Sequence, residues 1–304
     1  MDKRLNDFLP DASAPEGQMA AIGMQYLNDY MAVELADVRS LFHLRKPFSH
    51  KGTYGHALII AGGTLTMGAA LLSAKGCLCA GAGLTTAAIP VSGLSALNAA
   101  LPEVMFVEKQ MLLSPGAIEP YNAIAIGPGL SDEESNLSLV GGLIRLKLPL
   151  IIDADGLNML SVNKKMLDGL SPHSVITPHI KEFDRLFGIH TTWWTRLQTA
   201  IREAKARKIV IVLKNQYTFI VDQKGLVYIN TTGNPAMAQG GMGDVLAGIV
   251  TAFVAQGYPV KDAAILGCYL HGKSGDDLAE SYFNVTASQV AAEIPKTLKR
   301  LLKL

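Results

Sequence analysis

The chain reads as an α/β fold with a largely parallel central sheet covered by helices on both faces. Three observations carry that reading. Short apolar runs of strand length recur from about residue 57 onward. Stretches of helical length and pattern separate them. Glycine, proline or acid-and-amide turns follow nearly every run. Strands that alternate with helices favour parallel pairing, and strands buried on both faces are near-continuously apolar.

Taken in order, the apolar runs are Ala57–Ala61, Leu84–Ile89, Ala123–Ile126, Leu150–Ile152, Val175–Thr177 and Ile209–Leu213. Each is too short for a helix and rich in β-branched or small apolar residues. Between them the sequence predicts helices over Met67–Ala80, Glu133–Leu146, Ile180–Phe187 and Trp194–Ala206. Tyr217–Val221 and Leu226–Ile229 flank Asp222-Gln223-Lys224-Gly225, a hairpin signature. Longer helices follow, at Asp244–Ala255, Val260–Tyr282 and Thr286–Leu301. Residues 1–45 carry Pro10, Pro15 and scattered charges without a clear period. They read as an N-terminal extension of unknown role, with a short helix near Ala36–Leu44, ahead of a domain over 46–304.

Composition narrows the function. Of the 304 residues 49% are hydrophobic and 17% charged, which suits a buried sheet. The net charge of +1 supplies no basic surface, so nucleic acid is not an expected partner. No apolar stretch is long enough to span a membrane, and the N-terminus lacks the apolar segment of a secretory signal. Cys77, Cys79 and Cys268 suit a reducing compartment, and cytoplasmic localisation is expected. All three read as small buried apolar residues rather than metal ligands.

In sheets of this kind ligands bind beyond the carboxyl ends of the strands. There stand Gly62-Gly63, Gly127-Pro128-Gly129, Asp153-Ala154-Asp155-Gly156, Pro178-His179 and Lys214-Asn215. The richest segment is 230–257. A polar turn leads to Gly240-Gly241-Met242-Gly243, then Asp244, then an apolar run to Ala255. Glycines before a helix let backbone N–H groups approach an anion, and the helix dipole favours it. A carboxylate at that place would repel a phosphate. It makes chemical sense as a base that takes the proton from a hydroxyl attacking a phosphoryl group. The competing reading is a plain strand-to-helix turn with Asp244 as its cap.

The segments HKGTYGHALIIAGG (50–63), GAALLSAKGCLCAGAGLTT (68–86), AIGPGL (125–130) and IIDADGLNML (151–160) are followed by TPHIKEFDRL (177–186), VLKNQYTFI (212–220) and GNPAMAQGGMGDVLAG (233–248). Together and in that order they resemble the ADP- or ATP-dependent NAD(P)H-hydrate dehydratases of the ribokinase-like superfamily, over nearly all of 46–295. The resemblance implies a three-layer α/β/α sandwich. It implies a repair reaction in which the S epimer of hydrated NADH or NADPH is phosphorylated on its ring hydroxyl and loses phosphate. Carried over by position, Asp244 is the catalytic carboxylate and also meets the substrate. The amides of Gly241, Met242 and Gly243 form an anion hole. Lys214, Asn215, Gln216, Tyr217, Thr218 and Gly243 bind the nucleotide. Ala69, Gly129 and His179 contact the hydrated dinucleotide. Mg²⁺ and a homotetramer are also implied. Glu182, in His179-Ile180-Lys181-Glu182, corresponds to a metal-organising glutamate acting through water; a solvated helix-face glutamate is the other reading.

The sequence departs from the family pattern at Met242, where many members have a small hydroxyl residue. Many members also carry an N-terminal epimerase domain, for which residues 1–45 are too short, so no epimerase activity is expected.

Other residues read more plainly. Asp153 and Asp155, if extended, face the same way, but a structural role is favoured for each, Asp155 as the cap of Gly156–Leu160. His179 reads as a cap or as a substrate contact. Trp193-Trp194 reads as packing, and His50, Lys51 and His56 as surface. Two further functions stay open: a superfamily kinase of a small vitamin-precursor alcohol, and a non-catalytic nucleotide sensor. The choice between ADP and ATP is open too.

Overall fold

The structure is a computed structural model that describes residues 30–131 and 133–303. Its strands are β1 (Tyr30–Ala32), β2 (His56–Ile60), β3 (Leu84–Ala88), β4 (Met105–Val107), β5 (Ala123–Ile126), β6 (Leu150–Ile152), β7 (Val175–Ile176), β8 (Val210–Leu213), β9 (Thr218–Val221) and β10 (Val227–Asn230). They form one sheet in the order β1-β10-β9-β8-β7-β6-β5-β2-β3-β4. Every pairing is parallel except those of β9, whose hairpin with β10 makes it antiparallel to both neighbours.

Alternation along the strands builds two cores. Ala57 and Ile59 of β2 point to one face; Leu58 and Ile60 point to the other. The first face is covered by α1 (Leu35–Leu41), α2 (Met67–Cys79), α3 (Leu94–Ala100), α9 (Met242–Ala255), α10 (Val260–Ala279) and α11 (Ala287–Leu302). The second is covered by α4 (Glu134–Arg145), α5 (Asp155–Val162), α6 (Lys164–Asp168), α7 (Ile180–Phe187) and α8 (Trp193–Arg207). This is the expected three-layer α/β/α arrangement.

The six expected apolar strands and the hairpin are all present, within one or two residues at their ends. Two strands and two helices were not anticipated. Both strands, β1 and β4, lie at sheet edges, and each exposes a methionine, Met31 and Met105, so neither reads as a buried run. The short α3 and α6 have too few turns to show a period. Residues 30–45, set apart by the sequence reading, join this packing: β1 pairs with β10, and Val38 of α1 enters the first core. Residues 1–29 lie outside the described residues.

Cys77 and Cys268 are buried as expected, whereas Cys79 is only partly so. Trp193 packs in the second core, 6.1 Å from the ring of Phe219.

Candidate active site

The carboxyl ends of the strands carry the candidate residues. After β10 the chain runs through a loop pinned to α10: Thr232 donates its hydroxyl to the Tyr269 carbonyl at 3.0 Å, and Asp276 accepts from the Gly233 amide at 3.1 Å. It then reaches Gly241, which precedes α9 with φ of 89°. A side chain there would be strained by that φ and would strike Leu72 at 2.5 Å, so only glycine fits. The turn aims the first amides of α9, those of Met242, Gly243 and Asp244, out of the helix end, where they have no partner within the helix.

Asp244 lies in this first turn, mostly buried. Burial pushes its pKa up to about 7, with the nearby Asp153 carboxylate adding to the shift and the Lys214 ammonium opposing it. Asp155 and Glu182 raise it further. A carboxyl group poised near neutrality suits proton transfer.

Lys214 follows β8. Its backbone amide donates to the Pro178 carbonyl at 2.9 Å and so extends the parallel pairing toward His179. Its side chain is 20% exposed, and its ammonium bonds Asp153 Oδ1 at 2.7 Å; the Asp153 side chain is only 2% exposed. A methyl group on Gly243 would lie 3.2 Å from Lys214 Nζ and 3.3 Å from Asp153 Oδ2. The ion pair is therefore seated against the first turn of α9, beside Asp244. Asp153, Glu182 and Asp244 hold the Lys214 pKa up despite burial.

Asp153 and Asp155 do not share a direction. Ala154 between them adopts φ of 48°, so the segment is not extended. Asp155 opens α5 with Ala154 in the cap position, and its Oδ2 accepts from the Ser131 amide at 3.0 Å. Its expected capping role gives way to this cross-link, and Asp153 joins the charged site instead of remaining structural.

His179 caps α7: its Nδ1 accepts from the Lys181 and Glu182 amides at 3.1 and 3.3 Å. Glu182 returns the bond, accepting from the His179 amide at 2.9 Å. Glu182 is 7% exposed, so it is no solvated helix-face residue. Burial raises its pKa against the pull of Lys214. The cap leaves the His179 side chain half exposed.

Ala69 and Gly129 meet: a methyl on Gly129 would come within 2.9 Å of the Ala69 methyl. Thr66 ties the two loops, donating to the Gly129 carbonyl at 2.6 Å and accepting from the Gly63 amide at 2.8 Å. Gly127 presses so closely on the Asp153 carbonyl that an added methyl would sit 1.8 Å from it. The Gly127–Gly129 loop thus joins the Asp153 site to the Ala69 site.

Beside Lys214 and Gly243 opens a cavity of about 660 Å³, large enough for a nucleotide. Lys214, Asn215, Gln216, Tyr217 and Thr218 form one wall; the 230–238 loop forms another; Met242 and Gly243 close one end. Every residue expected at the nucleotide lines it. His271 of α10 also lines it, and the sequence reading missed it. Its Nε2 is shut off from solvent, and burial with the nearby Lys214 charge pushes its pKa down to about 4 against the pull of the Met242 backbone. Its place in a long helix, 57 residues from Lys214 in sequence, left no local signal.

Comparisons agree with this geometry. A family model described as NAD(P)H-hydrate dehydratase matches residues 57–296. An ADP-dependent (S)-NAD(P)H-hydrate dehydratase from Staphylococcus aureus is 36% identical over 264 residues, covering 84% of this chain and 93% of that one. The chain belongs to the NAD(P)H-hydrate dehydratase family. A bifunctional NAD(P)H-hydrate repair enzyme of Moorella thermoacetica is 39% identical over 79% of this chain but 48% of its own. The chain spans about half the length of such bifunctional relatives. Among solved structures of the family, an ADP/ATP-dependent NAD(P)H-hydrate dehydratase from Bacillus subtilis, co-crystallised with ATP and Mg²⁺, superposes with a TM-score of 0.79 at 30% identity, covering 88% of this chain and 97% of that one. A ribokinase-like protein from Enterococcus faecalis gives 0.82 at 29% identity, covering 91% and 98%.

Proposed function

We propose that the chain converts the S epimer of hydrated NADH or NADPH back to the reduced cofactor at the expense of ADP or ATP. The observation that carries this is Asp244: a carboxyl with a pKa near 7 stands in the first turn of α9, next to Met242 and Gly243, which close one end of the nucleotide-sized cavity. The names of the Staphylococcus and Bacillus relatives support the substrate class.

In this reading the terminal phosphate of the nucleotide lies against the amides of Gly241, Met242 and Gly243. Met242 needs no hydroxyl for that role, since its backbone N–H remains. The nucleotide body fills the cavity along Lys214–Thr218, and Lys214 offsets charge on the phosphates. The hydrated ring approaches over Ala69, Gly129 and His179. Asp244 accepts the proton as the ring hydroxyl oxygen attacks phosphorus, and AMP or ADP leaves. The ring nitrogen lone pair then expels phosphate by breaking the C–O bond, and loss of the neighbouring ring proton restores the C=C bond. The amides stabilise charge that builds on the transferring phosphoryl oxygens.

Magnesium is expected with the nucleotide. Among the described residues no group of three or more acidic, histidine or cysteine side chains could hold a metal alone. Buried Glu182 is the residue that would hold a hydrated ion through water. When bound, the ion neutralises phosphate charge.

Family likeness further supports a homotetramer working in the cytoplasm. Among the described residues no helix is long and apolar enough to cross a membrane. A light-scattering mass matching a single chain would remove the tetramer.

The test mixes the chain with hydrated NADH, Mg²⁺ and either ADP or ATP. Nucleotide-dependent return of dihydronicotinamide absorbance, with equal phosphate release, is the expected result and identifies the donor. A stable phosphorylated product, or no recovery with either nucleotide, would overturn the reading.

A further inference from the structure

A second cleft, of about 310 Å³, opens at the carboxyl ends of β2, β3, β4 and β5. It is lined by Gly63 after β2, Val91 after β3, Lys109 after β4, and Leu130 and Glu133 after β5. Two features connect it to the site above. Gly63 is the residue that Thr66 ties to Gly129. Leu130 directly continues the Gly127–Gly129 loop that presses on Asp153. The strand order then sets three stations in a line: the nucleotide cavity over β8 to β10, Asp153 after β6, and this cleft over β5 to β4. From β6 to β3 is three interstrand steps, roughly 14 Å.

The nucleotide cavity takes up the strand ends from β8 to β10, so the strand ends from β5 to β4 are left for the rest of a bound dinucleotide hydrate. We propose that this second cleft receives the adenosine monophosphate half of the hydrated dinucleotide. The proposal rests on the dehydratase reading. The lining has the matching chemistry. Val91 and Leu113 stand 56% and 59% exposed at its wall, aliphatic surface for a purine face. Glu108 and Glu133 are exposed acceptors for ribose hydroxyls. Lys109 is anchored, its Nζ donating to the Gly62 carbonyl at 2.7 Å, and an ammonium has two further donors for a phosphate. Burial lowers the Lys109 pKa while the Glu133 charge supports its protonated form.

The experiment compares two substrates in the presence of Mg²⁺ and nucleotide: hydrated NADH, and hydrated reduced nicotinamide mononucleotide, which lacks the adenosine monophosphate half. The proposal expects kcat/KM at least about tenfold higher for the dinucleotide. Val91→Glu and Leu113→Asp place a carboxylate at the cleft wall, on exposed positions where folding is little affected. Each is expected to cut the ratio of the two kcat/KM values roughly tenfold. Equal use of both hydrates by the unmodified chain, or an unchanged ratio in both variants, overturns this proposal alone. No turnover of either hydrate overturns the dehydratase reading and this proposal with it.

Discussion

At the scale of single residues, the chemistry turns on the proton affinity of Asp244. A base must be ionised before it can accept a proton, and burial with Asp153 nearby holds its pKa up to about 7. kcat/KM is therefore expected to rise with pH along an acid limb centred near 7. Asp153→Asn removes a neighbouring negative charge, which favours the ionised form, so the limb should move to lower pH. A limb that stays in place would deny Asp153 that influence. Asp244→Asn should lower kcat by about 10²–10⁴ with folding intact, the range general-base removal costs. The same shift has a sign for stability. The folded state holds the Asp244 proton more tightly than the unfolded chain does. Its stabilising contribution is present below about pH 4 and is lost as pH rises toward 7. Comparing the urea midpoints of the original chain and Asp244→Asn across that window checks this: the original should lose stability relative to the variant as pH rises. The place of Asp244 in the first turn of a helix was legible in the sequence, because a glycine cluster directly before an apolar run marks a strand-to-helix turn. Asp153 was not, because its role needs Lys214, 61 residues away in sequence.

At the scale of elements, the helix that carries Asp244 is fixed by backbone contact. A methyl on Gly248 of α9 would sit 1.9 Å from the Ser73 carbonyl of α2, and one on Gly76 of α2 would sit 2.5 Å from the Val245 carbonyl of α9. The two helices touch where neither has a side chain. Gly248→Ala must push them apart, and overpacking of this kind costs about 1–3 kcal/mol or more. Calorimetry should show a clear fall in Tm, and activity should fall with it, since α9 carries the anion-binding end. Gly68→Ala in the same α2 is the contrast. Nothing lies within 4 Å of that added methyl, so the loss of unfolded-state entropy should raise stability by about 0.4–1 kcal/mol. Equal effects at the two positions would refute the contact argument. Strands β2 and β5 to β8 could be read from the sequence because both their faces are buried, which leaves continuous apolar runs. Edge strands β1 and β4 could not, since half-exposed residues carry no such run. The glycines at the α2–α9 contact were visible as residues but not as a pair, because contact between helices 172 residues apart is a tertiary fact.

At the scale of the whole molecule, one sheet carries the nucleotide-sized cavity over β8 to β10 and the second cleft over β5 to β4, with Asp153 after β6 between them in strand order. Part of the cavity lining was legible because it falls in two short segments, 214–218 and 242–243, whereas His271 was not. The second cleft is assembled from the ends of four strands, and none of its lining residues was among the expected site residues. This layout has a consequence for binding without turnover. ADP in the donor cavity would place its phosphates against the end of α9, close to the Asp244 carboxylate. Above pH 7 that carboxylate is ionised and opposes the phosphate. Asp244→Ala should then bind ADP at least as tightly as the original chain while failing to turn over substrate. Lys214→Ala loses the opposite charge and leaves Asp153 buried without its partner, so it should bind ADP weakly. Ligand that binds only the folded state adds about 2.7 kcal/mol at one hundred times Kd, so the ranking appears in thermal unfolding. With saturating ADP at pH 8, the rise in Tm should be largest for Asp244→Ala, smaller for the original chain and smallest for Lys214→Ala. A smaller rise for Asp244→Ala than for the original chain would mean that the carboxylate helps to hold the nucleotide, and the placement of the phosphates at the α9 end would have to be abandoned.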